Sequence, residues 1–175
     1  MSESPEAQSV APSDQSPQTI GGWTSVTLAE QAASVVLGRF TNDDAIELGL
    51  ILLKRARADE LPVVIEVRHL GRVAFRVAMP GTSADNDSWI ARKSATAERF
   101  GRASLAERVG RQERGAAVDE QPHLPAERFA AHGGAVPIEV AAVGVVGLAI
   151  VSGLPQLEDH ELVVWGLRRL REQRP

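Results

Sequence analysis

FAAHGGAVPIEVAAVGVVGLAIVSGLPQLEDHELVVWGLRRL, residues Phe129–Leu170, is the stretch on which the fold turns. Two apolar segments, Val136–Ala142 and Val145–Val151, flank a short turn at Gly144. Both are rich in β-branched residues, as strands on a half-buried sheet are. Ser152-Gly153-Leu154-Pro155 then breaks the second segment, and proline is tolerated in the first turn of a helix. Glu158, Asp159 and Glu161 follow at one end of that helix, and Arg168, Arg169 and Arg171 crowd the other. This polarity complements the helix dipole. The segment therefore predicts strand, hairpin turn, strand, corner and closing amphipathic helix.

One imidazole stands out in it. His160 shares the i, i+3, i+4, i+7, i+11 stripe with Val163, Val164, Leu167 and Arg171, so it faces the sheet one turn from the Ser152-Gly153 corner. Desolvation and the positive helix N-terminus disfavour its cation while Asp159 and the neighbouring glutamates favour it, and the neutral ring is the expected form at pH 7. Two roles fit that position. His160 is either a ligand-facing group, whose loss weakens binding, or a packed imidazole, whose loss weakens the fold.

Working outward, the next clear helix is Phe40–Asp59. Thr41 caps it, Asp44 reciprocates three residues on, and Phe40 staples onto the first turn. Leu61–Val67 and Arg72–Met79 read as two more strands about Leu70-Gly71, the second with period-2 alternation of Val73, Phe75, Val77 and Met79. Asn86-Asp87 introduces a helix over Ser88–Arg99 whose buried stripe includes Trp89, Lys93, Thr96 and Ala97. Lys93 on that stripe reads as a snorkelling stem or as an anion contact. Shorter helices are expected near Leu28–Leu37 and Leu105–Gln112, though Val35-Val36-Leu37 equally opens a strand. Gln112–Arg128 is charged, contains Pro122 and Pro125, and reads as a surface loop or a subunit boundary.

Composition sets the limits. The chain has 175 residues, so one domain is expected over 21–175, after a Ser-, Pro- and Gln-rich tail at 1–20 that cannot bury enough to order itself. With 43% hydrophobic but only 4% aromatic residues and no Tyr, aliphatic packing must build the core. Cysteine is absent, which excludes disulfides, thiolate catalysis, zinc–thiolate sites and Fe–S clusters. A net charge of −4 gives no general attraction to nucleic acid or an anionic membrane, and no apolar run is long enough to span a bilayer. No secretory signal pattern opens the chain, so a cytoplasmic location is expected. Phosphate-loop, dinucleotide, zinc-protease and hydrolase-elbow motifs are all absent, and the four histidines lack zinc-site spacing. No metal and no catalytic residue is assigned.

Three segments carry a resemblance. NDSWIARKSATAERFGRAS (Asn86–Ser104), HGGAVPIEV (His132–Val140) and VGVVGLAIVSGLPQLEDHELVV (Val143–Val164) resemble the haem-degrading-domain family, in particular its short single-domain branch related to GlcG-like and HbpS-like proteins. The resemblance covers roughly Leu28 to Leu170. It implies a profilin-like α+β sandwich, with an antiparallel sheet of about five strands flanked by helices. It also implies a homo-oligomer, a small-molecule ligand, and haem as a candidate cofactor. By the same resemblance a ligand pocket is expected where Trp89, Arg92, Lys93, His132, Gly134, Ser152, Asp159 and His160 meet. Where the family tends to carry Ser-Ser, this chain reads Ala103-Ser104. The leading expectation is an oligomeric ligand-binding protein. The alternatives are a metabolic enzyme using His160 and Asp159 as an acid–base pair, or an adapter that recruits a protein partner.

Overall fold

A computed structural model describes residues 20–116 and 124–174. Most of the expected tail, residues 1–19, and residues 117–123 of the expected surface loop lie outside the described residues. The elements run α1 (Ser25–Ala33), α2 (Asn42–Ala58), β1 (Val64–His69), β2 (Arg72–Ala78), α3 (Ala84–Phe100), α4 (Ser104–Glu113), β3 (Ala135–Val140), β4 (Gly144–Ser152) and α5 (Gln156–Gln173). The strands form an antiparallel sheet in the order β2-β1-β4-β3. The architecture is α+β, with helices on both faces. No described helix is long and apolar enough to cross a membrane.

The alternation of strand side chains decides which helix packs where. Ile65, Val67, Ala149, Val151, Val136 and Ile138 turn to the face covered by α2 and α5 and join the large aliphatic core. The intervening Val64, Leu148 and Ile150 turn the other way and pack with Ile90 and Ala97 of α3. Glu66 shares this second face and is fully buried, held by Arg68 at 2.7 Å and by Arg76. Thr41 and Asp44 make the capping box read from the sequence, with Thr41 N–H donating to Asp44 Oδ2 at 2.9 Å and Asp44 N–H to Thr41 Oγ1 at 3.2 Å.

Three expectations need correction. The sheet has four strands rather than five among the described residues. Val35-Val36-Leu37 reaches β3 through one parallel bridge, Leu37 with Val140, because Gly38 follows and the chain turns into α2. The strand expected over Leu61–Val67 begins at Val64 and runs to His69, since Pro62 lacks a donor for the ladder. The helix expected from Ser88 begins four residues earlier at Ala84. Asn86 Oδ1 accepts the Ser83 N–H at 2.8 Å, which places Asn86 inside the first turn rather than ahead of it.

Ala103 occupies the N-cap of α4 and offers no side-chain acceptor to the first-turn amides. Ser104, by contrast, is buried and accepts the Ala135 N–H at 3.1 Å, pinning the start of β3. A hydroxyl at position 103 would supply the cap acceptor that α4 lacks, and a cavity alongside Ala103 leaves room for one. Ala103→Ser is expected to raise stability by about 1 kcal/mol in urea melts. No gain would show that the α4 amides are already satisfied in solution.

Candidate functional site

The site forms past the C-terminal end of β4, where elements from both faces of the sheet meet. Ser152 continues the row of Leu148 and Ile150, so it faces α3. On α3, Lys93 lies between Ile90 and Ala97 on the stripe that packs against this row. The helical period thus drives a lysine into the interior. Its ammonium does not snorkel out, for Lys93 is only 3% exposed.

Lys93 Nζ donates to Asp159 Oδ2 at 2.7 Å and to the Val151 carbonyl at 3.3 Å. Asp159 comes from the first turn of α5 and is 1% exposed. Its other oxygen, Oδ1, accepts the Leu154 N–H at 3.0 Å, so the carboxylate caps the corner as well as pairing the lysine. Burial pushes the Lys93 ammonium below the usual lysine range, against the pull of Asp159 and with help from nearby Arg92. Burial likewise pushes the Asp159 carboxyl up, opposed by Lys93 and by the backbone N–H groups of Leu154 and Gly153. The proton affinities of the two partners therefore approach each other.

Backbone glycines make the junction passable. Gly134 has φ +122°, and a Cβ there would stand 2.4 Å from the Val151 oxygen and 2.9 Å from Lys93 Nζ. At Gly133 a Cβ would meet the Gln156 carbonyl at 2.1 Å. Any side chain at either position forces α5 or the lysine away.

Above the pair opens a cavity of about 220 Å³. Of the expected residues, Trp89, Lys93, His132, Ser152 and Asp159 line it. His132 meets Trp89 edge-on with ring centroids 4.9 Å apart, and the Arg92 guanidinium covers the indole at 4.0 Å. Arg92 itself opens into an adjoining cavity of about 190 Å³ that shares Trp89 and His132. Gly134 supports the site from behind. Asp85, Asn86, Gly153 and Gln156 also reach the rim, and the sequence reading missed them as site residues. The Ser83-x-x-Asn86 pattern was the available signal, because it sets where α3 begins.

His160 is not among the lining residues. Adjacent helical residues differ by about 100° in direction, so Asp159 turns to Lys93 while His160 turns to α1. Its Nε2 lies 2.7 Å from Gln31 Oε1, and its ring meets Trp23 edge-on at 6.3 Å. Nδ1 is buried without a hydrogen-bond partner among the described residues. An amide oxygen accepts only, so the proton sits on Nε2. Burial lowers the pKa from 6.5 to about 4, and the ring is neutral at pH 7. The expected acid–base pairing of His160 with Asp159 does not form. In this geometry the imidazole packs against α1 and Trp23, away from the cavity.

The comparisons with known proteins bear on this geometry. The family described as haem degrading protein HbpS-like matches residues 40–168, which include the whole cavity lining. The UPF0303 protein SCO2848 of Streptomyces coelicolor is 47% identical over 146 residues, 83% of this chain and 92% of that protein. The crystal structure of the Ybr137w protein superposes with a TM-score of 0.79 at 29% identity, covering 87% of this chain and 90% of that one. A crystal structure of a PduOC–haem complex has a TM-score of 0.61 at 20% identity, covering 75% and 94%, and shares the fold.

Between pH 6.5 and about 4 the unfolded imidazole binds a proton that the folded one refuses. Stability therefore falls as pH drops through that window, by up to about 3 kcal/mol. In His160→Gln this part of the pH dependence should vanish, while the contribution of Lys93 and Asp159 stays in both proteins. Parallel urea melts of the two proteins across the window check it. An unchanged slope would mean that His160 titrates normally.

Proposed function

The chain belongs to the HbpS-like family of haem degrading proteins, and we propose that it binds a small polar molecule in the cavity above the Lys93–Asp159 ion pair. That buried pair on the floor of an open cavity is the observation that carries the reading. A buried ion pair is weak ground for stability, since apolar residues of equal volume often serve as well or better. Here it is kept beside Ser152, which is 3% exposed, with Asn86 and Gln156 at the rim. A few convergent polar groups in a concavity are the usual dress of a ligand site.

The size of this cavity favours a molecule smaller than haem, the ligand in the PduOC complex. Drug-sized ligands fill pockets of roughly 300–1,000 Å³ with mainly apolar walls. This one measures about 220 Å³, and among the described residues only Trp89 and His132 line it with rings.

The same reading includes a homo-oligomer in the cytoplasm. Both hairpin tips lie at one end of the sheet, where Leu70 N–H donates to the Val146 carbonyl at 2.9 Å. Leu70, Val73, Val143 and Val145 are exposed there, between 54% and 71%. Covering them against another copy removes apolar surface from water.

Native mass spectrometry of the purified chain tests both parts. The expected result is an assembly heavier than the 18.7 kDa chain, carrying a small retained mass that Trp89→Ala loses. A monomer would overturn the assembly. A saturable Soret band on haemin titration, abolished by Trp89→Ala, would overturn the small-ligand reading in favour of haem.

A further inference from the structure

The chain contains seventeen arginines and only two lysines, Lys54 and Lys93. Lys54 is exposed on α2, whereas Lys93 is buried at the floor of the cavity. An arginine there would hold its charge permanently, because a guanidinium does not lose its proton in a protein. A lysine keeps an amine that can be unmasked. Two of the three Nζ positions are spent on Asp159 Oδ2 and the Val151 carbonyl, and a third is left over. Gly134 has no Cβ to crowd it.

We propose that Lys93 is a nucleophilic amine that captures a small carbonyl compound in this cavity as an iminium, with Asp159 carrying the proton. The proposal rests on the cavity being a ligand site. Activation of a lysine by desolvation and by a neighbouring cation is an established route to a nucleophile. Both occur here, through burial and through Arg92.

The chemistry balances without an oxidant or a further co-reactant. The Lys93 ammonium gives one proton to Asp159 Oδ2 along the 2.7 Å hydrogen bond. The freed lone pair attacks the carbonyl carbon, and the C=O π pair moves to oxygen. A second proton passes from nitrogen to that oxygen, giving a carbinolamine. Asp159 then protonates the hydroxyl, water leaves, and the nitrogen lone pair closes the C=N bond. Ammonium plus carbonyl has become iminium plus water, with the carboxylate paired to the iminium as it was to the ammonium. A cavity of about 220 Å³ admits molecules of a few carbons. Trp89 offers them an apolar wall, and Ser152 and Asn86 offer hydrogen bonds.

The test uses the full chain with pyruvate or glycolaldehyde as probe, followed by borohydride reduction and peptide mapping by mass spectrometry. A reduced adduct at Lys93, at least tenfold above that at Lys54 and the α-amino group, is expected and is absent in Lys93→Arg. Pyruvate and glycolaldehyde together tell whether an oxo acid or a simple aldehyde is preferred. The wild-type map needs no variant to fold, since Lys54 is the internal control. Labelling at Lys54 equal to or above that at Lys93 overturns the proposal. A probe that raises Tm and leaves no adduct at Lys93 overturns the covalent step and leaves the ligand site standing. Neither stabilisation nor adduct with either probe overturns carbonyl capture, while a retained ligand of another class in native mass spectra keeps the site.

Discussion

The Lys93–Asp159 ion pair is the side-chain link on which the two helical layers of the molecule meet. Lys93 belongs to the helix on one face of the sheet, and Asp159 to the closing helix on the other. They meet beyond the end of β4 because Gly133 and Gly134 leave the space through which α5 and the lysine approach. The Val151 carbonyl and the Leu154 amide bind the pair to the corner itself. Removing either partner leaves an uncompensated buried charge, at a cost of about 3–5 kcal/mol. The pair is consequently both a clamp between layers and the polar floor of the cavity.

The sequence was legible wherever the rule is local. Thr41 and Asp44 are three residues apart and make their own cap, so no distant information is needed. Alternation along β4 separates Ala149 and Val151 from Leu148 and Ile150, and with that the two faces of the sheet. Lys93 was legible in depth and not in partner. Its stripe puts it inside, but the carboxylate that meets it lies 66 residues away, and snorkelling is the default without it. The start of α3 slipped because Asn86 works backwards on Ser83 from within the helix. The missing fifth strand has a similar cause. Val35, Val36 and Leu37 favour extended backbone, but Gly38 and the entry to α2 leave length for one bridge only.

Family membership and site geometry answer different questions. The match over residues 40–168 identifies the fold and its kin, and the relation to the PduOC–haem complex is one of fold at 20% identity. In the reading proposed above, ligand choice is decided by the walls of the cavity: its volume, the Asp85 carboxylate and the ion pair below. These walls suit a small polar molecule. A shared scaffold carries different ligands when the side chains at one junction change.

Asp159 and His160 show how finely that junction discriminates. They are consecutive, both titratable and both about 1% exposed. For His160, burial is the single cause of a depressed pKa, with Gln31 Oε1 accepting the Nε2–H hydrogen bond and offering no counter-charge to restore the cation. The ring is driven neutral and stays so. For Asp159 burial pushes in the direction of neutrality too, but Lys93 and two backbone amides push back. Opposing influences act on Asp159 and a single one on His160, so the two neighbours answer the same burial differently. The difference between the two adjacent residues is one of partners, because a turn of about 100° on one helix gives Asp159 a charged partner beside an open cavity and gives His160 a neutral amide within the packing.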